Sequence, residues 1–158
     1  MPELMDLEAR IKGLEAIEAI EKVRAKYWRC FDKKLWDEML ECFSENATAD
    51  FGPKGFFRGK DAIVGFLRTG SRASSKSVIG ISQGHNPEID IKNDNEATGI
   101  WQIFGYSIDT ETNKGRRMAG FYHDEYFKEK GKWKMKSTDA NYTLMEDSDR
   151  EGMSLAGQ

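Results

Sequence analysis

Between residues 4 and 31, apolar side chains recur at three- and four-residue steps: Leu4, Leu7, Ile11, Leu14, Ile17, Ile20, Val23 and Tyr27. Glu, Lys and Arg fill the other faces, which predicts one long amphipathic helix. Its first half, Leu4 to Leu14, is spaced like two short heptads. That stretch is expected either to project as an arm onto a neighbouring subunit or to cap its own core. A second helix is predicted from Lys33 to about Phe43, through Leu35, Trp36, Met39 and Leu40. Asp32 is placed to accept backbone N–H bonds at its start. Ala47 to Phe51 reads as a short strand and Gly52 to Gly55 as a turn. Gly59-Lys60-Asp61 leads into a third helix through Ile63, Val64, Phe66 and Leu67.

From Val78 the period changes to two. Four long strands are expected, at 78–91, 97–108, 117–128 and 132–145. Asn93-Asn95, a polar loop at 109–115 and the tight turn Glu129-Lys130-Gly131 separate them. A single domain over 1–146 follows, with 1–14 as a possible helical arm and 147–158 as a flexible tail. The fold class is α+β: three N-terminal helices packed on a strongly curved, mainly antiparallel sheet. Three helices do not fill such a sheet. A cone-shaped cavity remains, and a ligand would go there.

Composition narrows the occupant. Nine Phe, five Tyr and four Trp carry much of the apolar volume of the 158 residues, which suits a wall for a flat hydrophobic molecule. The net charge is -3, and acidic and basic residues are interspersed with no basic run, which argues against nucleic acid and an anionic membrane surface. No stretch is long enough to span a bilayer, and Met1 to Asp6 lacks a basic flank, so a soluble cytoplasmic protein is expected. Cys30 and Cys42 show neither CxxC nor Cys/His spacing. With no glycine-rich phosphate loop or Ser-His-Asp pattern, neither metal nor cofactor is expected. Most of the candidate chemistry lies in Lys26–Asp32, at the junction of the first two helices. There Tyr27 and Asp32 are either an acid–base pair facing a closed pocket or a core residue and a helix cap.

Leu7–Ile11, Ile17–Ile20, Ala25–Asp32, Leu35–Glu38, Gly84–Ile89, Ala97–Trp101 and Phe121–Tyr126 carry a family resemblance. Over most of residues 7–143 the chain resembles the SnoaL-like branch of the nuclear-transport-factor-2-like superfamily, whose fold is an α+β cone. It is most similar to bile acid 7α-dehydratase-like proteins and more distantly to scytalone dehydratase and a hexachlorocyclohexane dehydrochlorinase. The resemblance puts Tyr27 and Asp32 where similar dehydratases have a catalytic Tyr and Asp. It also marks two departures: Ser82 stands where they have a His, and Tyr142, beside Asn141, where they carry an Arg. His85 and His123 are the candidate replacements. In a regular strand His85 faces away from Ser82, unless a bulge near Gly84 or Pro87 turns it inward.

What the resemblance implies is a cofactor-independent dehydratase-type lyase acting on a hydrophobic polycyclic, steroid- or bile-acid-like alcohol. Tyr27, Asp32 and His85 would be catalytic. Ser82, Trp101, Tyr122, His123, Asn141 and Tyr142 would contact substrate. Two alternatives stay open: an isomerase or polyketide-type cyclase using Asp32 as sole base, its pKa raised by burial, and a small-ligand-binding protein without catalysis. The resemblance also implies a homo-oligomer, dimer or trimer, that covers the outer sheet face.

Overall fold

The computed structural model describes residues 1–152 and 155. The chain runs α1 (Pro2–Lys33), α2 (Trp36–Met39), a 3-10 turn (Leu40–Cys42), β1 (Phe43–Asp50), β2 (Phe56–Arg58) and α3 (Lys60–Thr69). Four long strands follow: β3 (Val78–Ile91), β4 (Glu96–Asp109), β5 (Lys114–Glu129) and β6 (Lys132–Asp149). They form one sheet in the order β2-β1-β6-β5-β4-β3, antiparallel throughout except for the parallel pair β1–β6. Register shifts between Phe43 and Thr48 on β1, between His85 and Glu88 on β3, and at two places in the β5–β6 ladder, mark the irregularities of the sheet. Each such irregularity bends its strand, so together they curl the sheet around the helices.

The helix α1 lies across the concave face, burying Ile20, Arg24, Tyr27, Trp28 and Cys30. Gly84 allows its close approach: a β-carbon there would lie 1.7 Å from the indole of Trp28. The helix ends in a left-handed residue, Lys34 at φ 57°, with the Leu35 N–H donating to the Cys30 carbonyl and the Lys34 N–H to that of Phe31. This is a Schellman-type stop.

The structure revises several boundaries. Asp32 belongs to the last turn of α1, and α2 has no side-chain cap, so the predicted capping role is not met. The second helix is short because Phe43 already opens β1, which pairs with β2 and β6. The strand β2 was not expected. Three residues between two glycines carry too little alternation to register. The last strand continues to Asp149, opposite Lys114, past the point where the tail was expected to begin. Of the rest of that tail, 153–154 and 156–158 lie outside the described residues. Leu4 and Leu14 are 56% and 67% exposed, so the first half of α1 does not cap its own core. Among the described residues no helix is long and apolar enough to cross a membrane.

Candidate active site

The open end of the cone encloses a cavity of about 90 Å³. Tyr27, Phe31 and Asp32 line it from α1, Phe66 and Leu67 from α3, Ser82 from β3, Ile103 from β4, and Met118, Tyr122 and Tyr142 from β5 and β6. Asp32 is half-buried. Its Oδ2 accepts the Ser82 backbone N–H at 2.8 Å, and its Oδ1 accepts the Ser82 hydroxyl at 2.8 Å. Both oxygens are therefore clasped by one residue, joining the end of α1 to β3. Burial raises the carboxyl above the usual range, while the two bonds from Ser82 and the nearby Lys33 and Lys34 oppose that rise. A carboxylate so held has one orientation, and its remaining lone pairs are free for a proton.

Tyr27 is buried, stacked on Phe31 at 6.4 Å between ring centroids and edge-on to Phe43 at 5.8 Å. Burial pushes its hydroxyl well above the usual phenol range, against the pull of Arg24, so the hydroxyl remains a proton donor at neutral pH. Tyr122 and Tyr142 share a hydrogen bond of 3.0 Å between their hydroxyls. Burial raises both phenols too.

Below the cavity lies a second polar group that the sequence reading missed. Arg24 is fully buried. Its Nη2 donates to Asp124 Oδ1 and to Thr138 Oγ1, both at 2.8 Å. The Thr138 and Tyr126 hydroxyls donate to the two Asp124 oxygens at 2.7 and 2.6 Å, and the Trp101 indole N–H donates to Tyr126 at 2.9 Å. The guanidinium also faces the rings of Tyr27, Trp28 and Tyr122 at 4.4–4.8 Å. Burial disfavours the charge, but Asp124 together with the Tyr126, Tyr27 and Tyr122 hydroxyls outweighs it and holds the Arg24 pKa above its usual value. The signal was available in weak form. Asp124 alternates with Tyr122 and Tyr126 on an apolar strand face, and Arg24 interrupts the apolar stripe of α1.

The site residues expected from sequence divide into two sets. Tyr27, Asp32, Ser82, Tyr122 and Tyr142 meet at the cavity. His85, His123 and Asn141 do not. The irregularity on β3 falls after His85, so alternation from Ser82 is intact and His85 stays exposed on the other side of the strand. It borders a shallow groove between α1 and β3 that also touches Asp32 and Ser82. His123 is exposed between inward Tyr122 and Asp124 and pairs across the outer face with Ile100 and Asp139. Asn141 is exposed and donates to Asp139. Trp101 is core, packed edge-on to Trp28 at 5.4 Å, and does not line the cavity. Cys30 and Cys42 are buried free thiols, and burial pushes Cys42 up to about 12.

Comparison with known proteins agrees with this architecture. The model of the SnoaL-like domain matches residues 12–139. A scytalone dehydratase-like protein from Novosphingobium aromaticivorans superposes with a TM-score of 0.80 at 21% identity, covering 94% of this chain and 98% of its own. A hexachlorocyclohexane dehydrochlorinase of type 3 from Novosphingobium barchaimii gives 0.81 at 15% identity, over 94% and 99%. A protein of cystatin-like fold from Nostoc punctiforme gives 0.60 at 20% identity, over 76% and 85%.

Proposed function

Because the chain belongs to the SnoaL-like domain family, we propose that it is a cofactor-free lyase, a dehydratase of a hydrophobic polycyclic or steroid-like alcohol held in the cone. The observation that carries this is the Asp32 carboxylate, clasped by Ser82 at the cavity wall opposite a tyrosine-rich face. Asp32 is the base. It takes the proton from the carbon beside an electron-withdrawing group, and the C–H electrons form the new double bond. The neighbouring C–O bond breaks, and the leaving hydroxide takes a proton from the Tyr27 hydroxyl and departs as water. Tyr27 lines the cavity as a neutral phenol, and the proton that Asp32 has taken returns to the Tyr27 phenolate to close the cycle. The neighbours that name a dehydratase and a dehydrochlorinase support elimination chemistry on this fold without specifying a substrate.

A second reading, an isomerase with Asp32 as sole base, is favoured by one observation: no histidine lines the cavity among the described residues. One carboxylate that takes a proton and returns it elsewhere needs no second base. Mass analysis separates the two, with loss of water in the first case and no change in the second. In either case Asp32→Asn should stay folded and lose at least about 100-fold in turnover, the scale of a lost general base. Turnover retained within a few-fold would remove Asp32 from the mechanism. A ligand recovered unchanged after long incubation would leave only a binding protein. We also propose self-association through the outer sheet face, where Phe104, Phe121 and Leu144 are exposed. Sedimentation as a monomer would reject it.

A further inference from the structure

The deep walls of the cavity are apolar and aromatic, but one end of it is not. Lys34, Lys54, Arg72 and Arg116 all line it, and Asp32 is the one carboxylate that does. Two of these cations are already engaged. The Lys34 ammonium donates to the carbonyls of Ala73 and Val78 at 2.6 and 2.8 Å, and Arg116 makes a two-pronged pair with Asp147 at 2.6 and 2.7 Å. The other two are not. Arg72 buries its Nε and Nη2 with no hydrogen-bond partner among the described residues. Lys54 extends its ammonium to 5.4 Å from the Tyr142 ring centroid, with no carboxylate bonded to it among the described residues. Burial and the neighbouring Arg116 hold Lys54 below its usual range, as befits a cation lacking a counter-ion. Arg72 and Arg116 both act on Asp147, so these groups form one cluster. Arg116 and Arg72 thus act on one carboxylate, and Lys54 beside Arg116 adds a third positive charge.

Nε and Nη2 form one edge of a guanidinium, and that edge matches the two oxygens of a carboxylate. Leaving such an edge buried and unpaired is costly, so it calls for a partner. We infer that this end of the cavity is a subsite for the carboxylate of an amphipathic ligand, held by the free edge of Arg72 and the ammonium of Lys54, with the apolar body reaching toward Asp32. The register sets the scale. Arg116 lies opposite Ser107 on β4, which lies opposite Gly80, two residues from Ser82 on β3. Two strand spacings across and two residues along put the backbone of Arg116 on the order of 10 Å from that of Ser82. The substrate class narrows from a hydrophobic alcohol to a hydrophobic hydroxy acid. This assignment rests on the reading that the cone takes an apolar ligand, but not on Asp32 being the base.

Binding of 2-naphthylacetate and 2-naphthaleneethanol, which share one aromatic body, tests it by calorimetry in low salt. The acid should bind about 10-fold or more tighter than the alcohol, as a charge-assisted pair would provide. Raising the salt should erode that preference. Arg72→Ala should abolish the preference while leaving the alcohol's affinity within about 2-fold, and Lys54→Met should reduce it while leaving the fold unperturbed. Asp32→Asn should leave it intact. Equal affinity of the two probes, or a preference that survives both substitutions, overturns the subsite. Binding of neither overturns the apolar cavity as well, whereas loss of turnover in Asp32→Asn alone bears only on the chemistry.

Discussion

Two carboxylates with polar partners lie close to α1, and their surroundings set them apart. Asp124 is wholly enclosed. Arg24, Thr138 and Tyr126 take up both its oxygens, and Trp101 completes the chain through Tyr126. Asp32 has one partner, Ser82, and fronts the cavity. The first carboxylate is closed off from the cavity, while the second faces it. A buried carboxylate that accepts three hydrogen bonds fixes geometry, and one held by a single residue at a cavity wall is available for chemistry. Family position alone would not separate them, because both are acids on inward-facing positions.

The largest effect that would test this contrast is on stability. Asp124→Ala strands the buried guanidinium of Arg24, and removal of one partner from such a pair costs about 3–5 kcal/mol. Thermal unfolding should show a fall in Tm on the order of 10 °C or more. A Tm unchanged within a degree would mean that the network is not structural. Next is Asp32→Asn, with its loss of at least about 100-fold in turnover and a Tm close to that of the parent. A large fall in Tm here would place Asp32 with Asp124 after all.

The same variant sharpens the contrast through pH. Because burial raises the folded-state pKa of Asp32, the native state holds that proton more tightly than the unfolded chain. Its contribution to stability is therefore fully present below the unfolded pKa and lost as pH rises through the folded pKa. Denaturation of parent and Asp32→Asn across this acidic window should show the difference between them moving in the parent's favour as pH falls. A difference independent of pH would mean that Asp32 is not perturbed. Ser82→Ala removes the hydroxyl bond that lowers the carboxyl and should shift the acid limb of the pH–rate profile upward, with a stability loss of about 1 kcal/mol. The smallest effect belongs to the solvent side of α1, where Arg29 pairs with Glu38. Arg29→Ala should leave both Tm and turnover within error.

Much of this arrangement was legible in the residues. Period two over 78–145 announced the four long strands, and the three- and four-step pattern announced α1. Tyr27, Asp32, Ser82, Tyr122 and Tyr142 were singled out and do meet at one cavity. What resisted reading was non-local. Asp32 looked like a cap because its sequence neighbours suggest one, whereas its true partner is fifty positions away. Arg24 and Asp124 each give only a weak local signal, and only a contact across a hundred positions joins them. Which way His85 faces depended on the position of one irregularity, which falls just beyond it.

The parallel pairing of β1 with β6 bears on how the chain reaches this state. The strand at 43–50 is held between β2 and a segment near residue 135, and Arg24 waits for Asp124 and Thr138. During synthesis α1 and β1 emerge long before β5 and β6 exist. The early chain must carry an unpaired strand edge and an apolar stripe interrupted by an unsatisfied cation. High contact order of this kind slows folding and prolongs exposure to aggregation. Arg24, a charge in the middle of the stripe, has no counter-charge until β5 delivers Asp124.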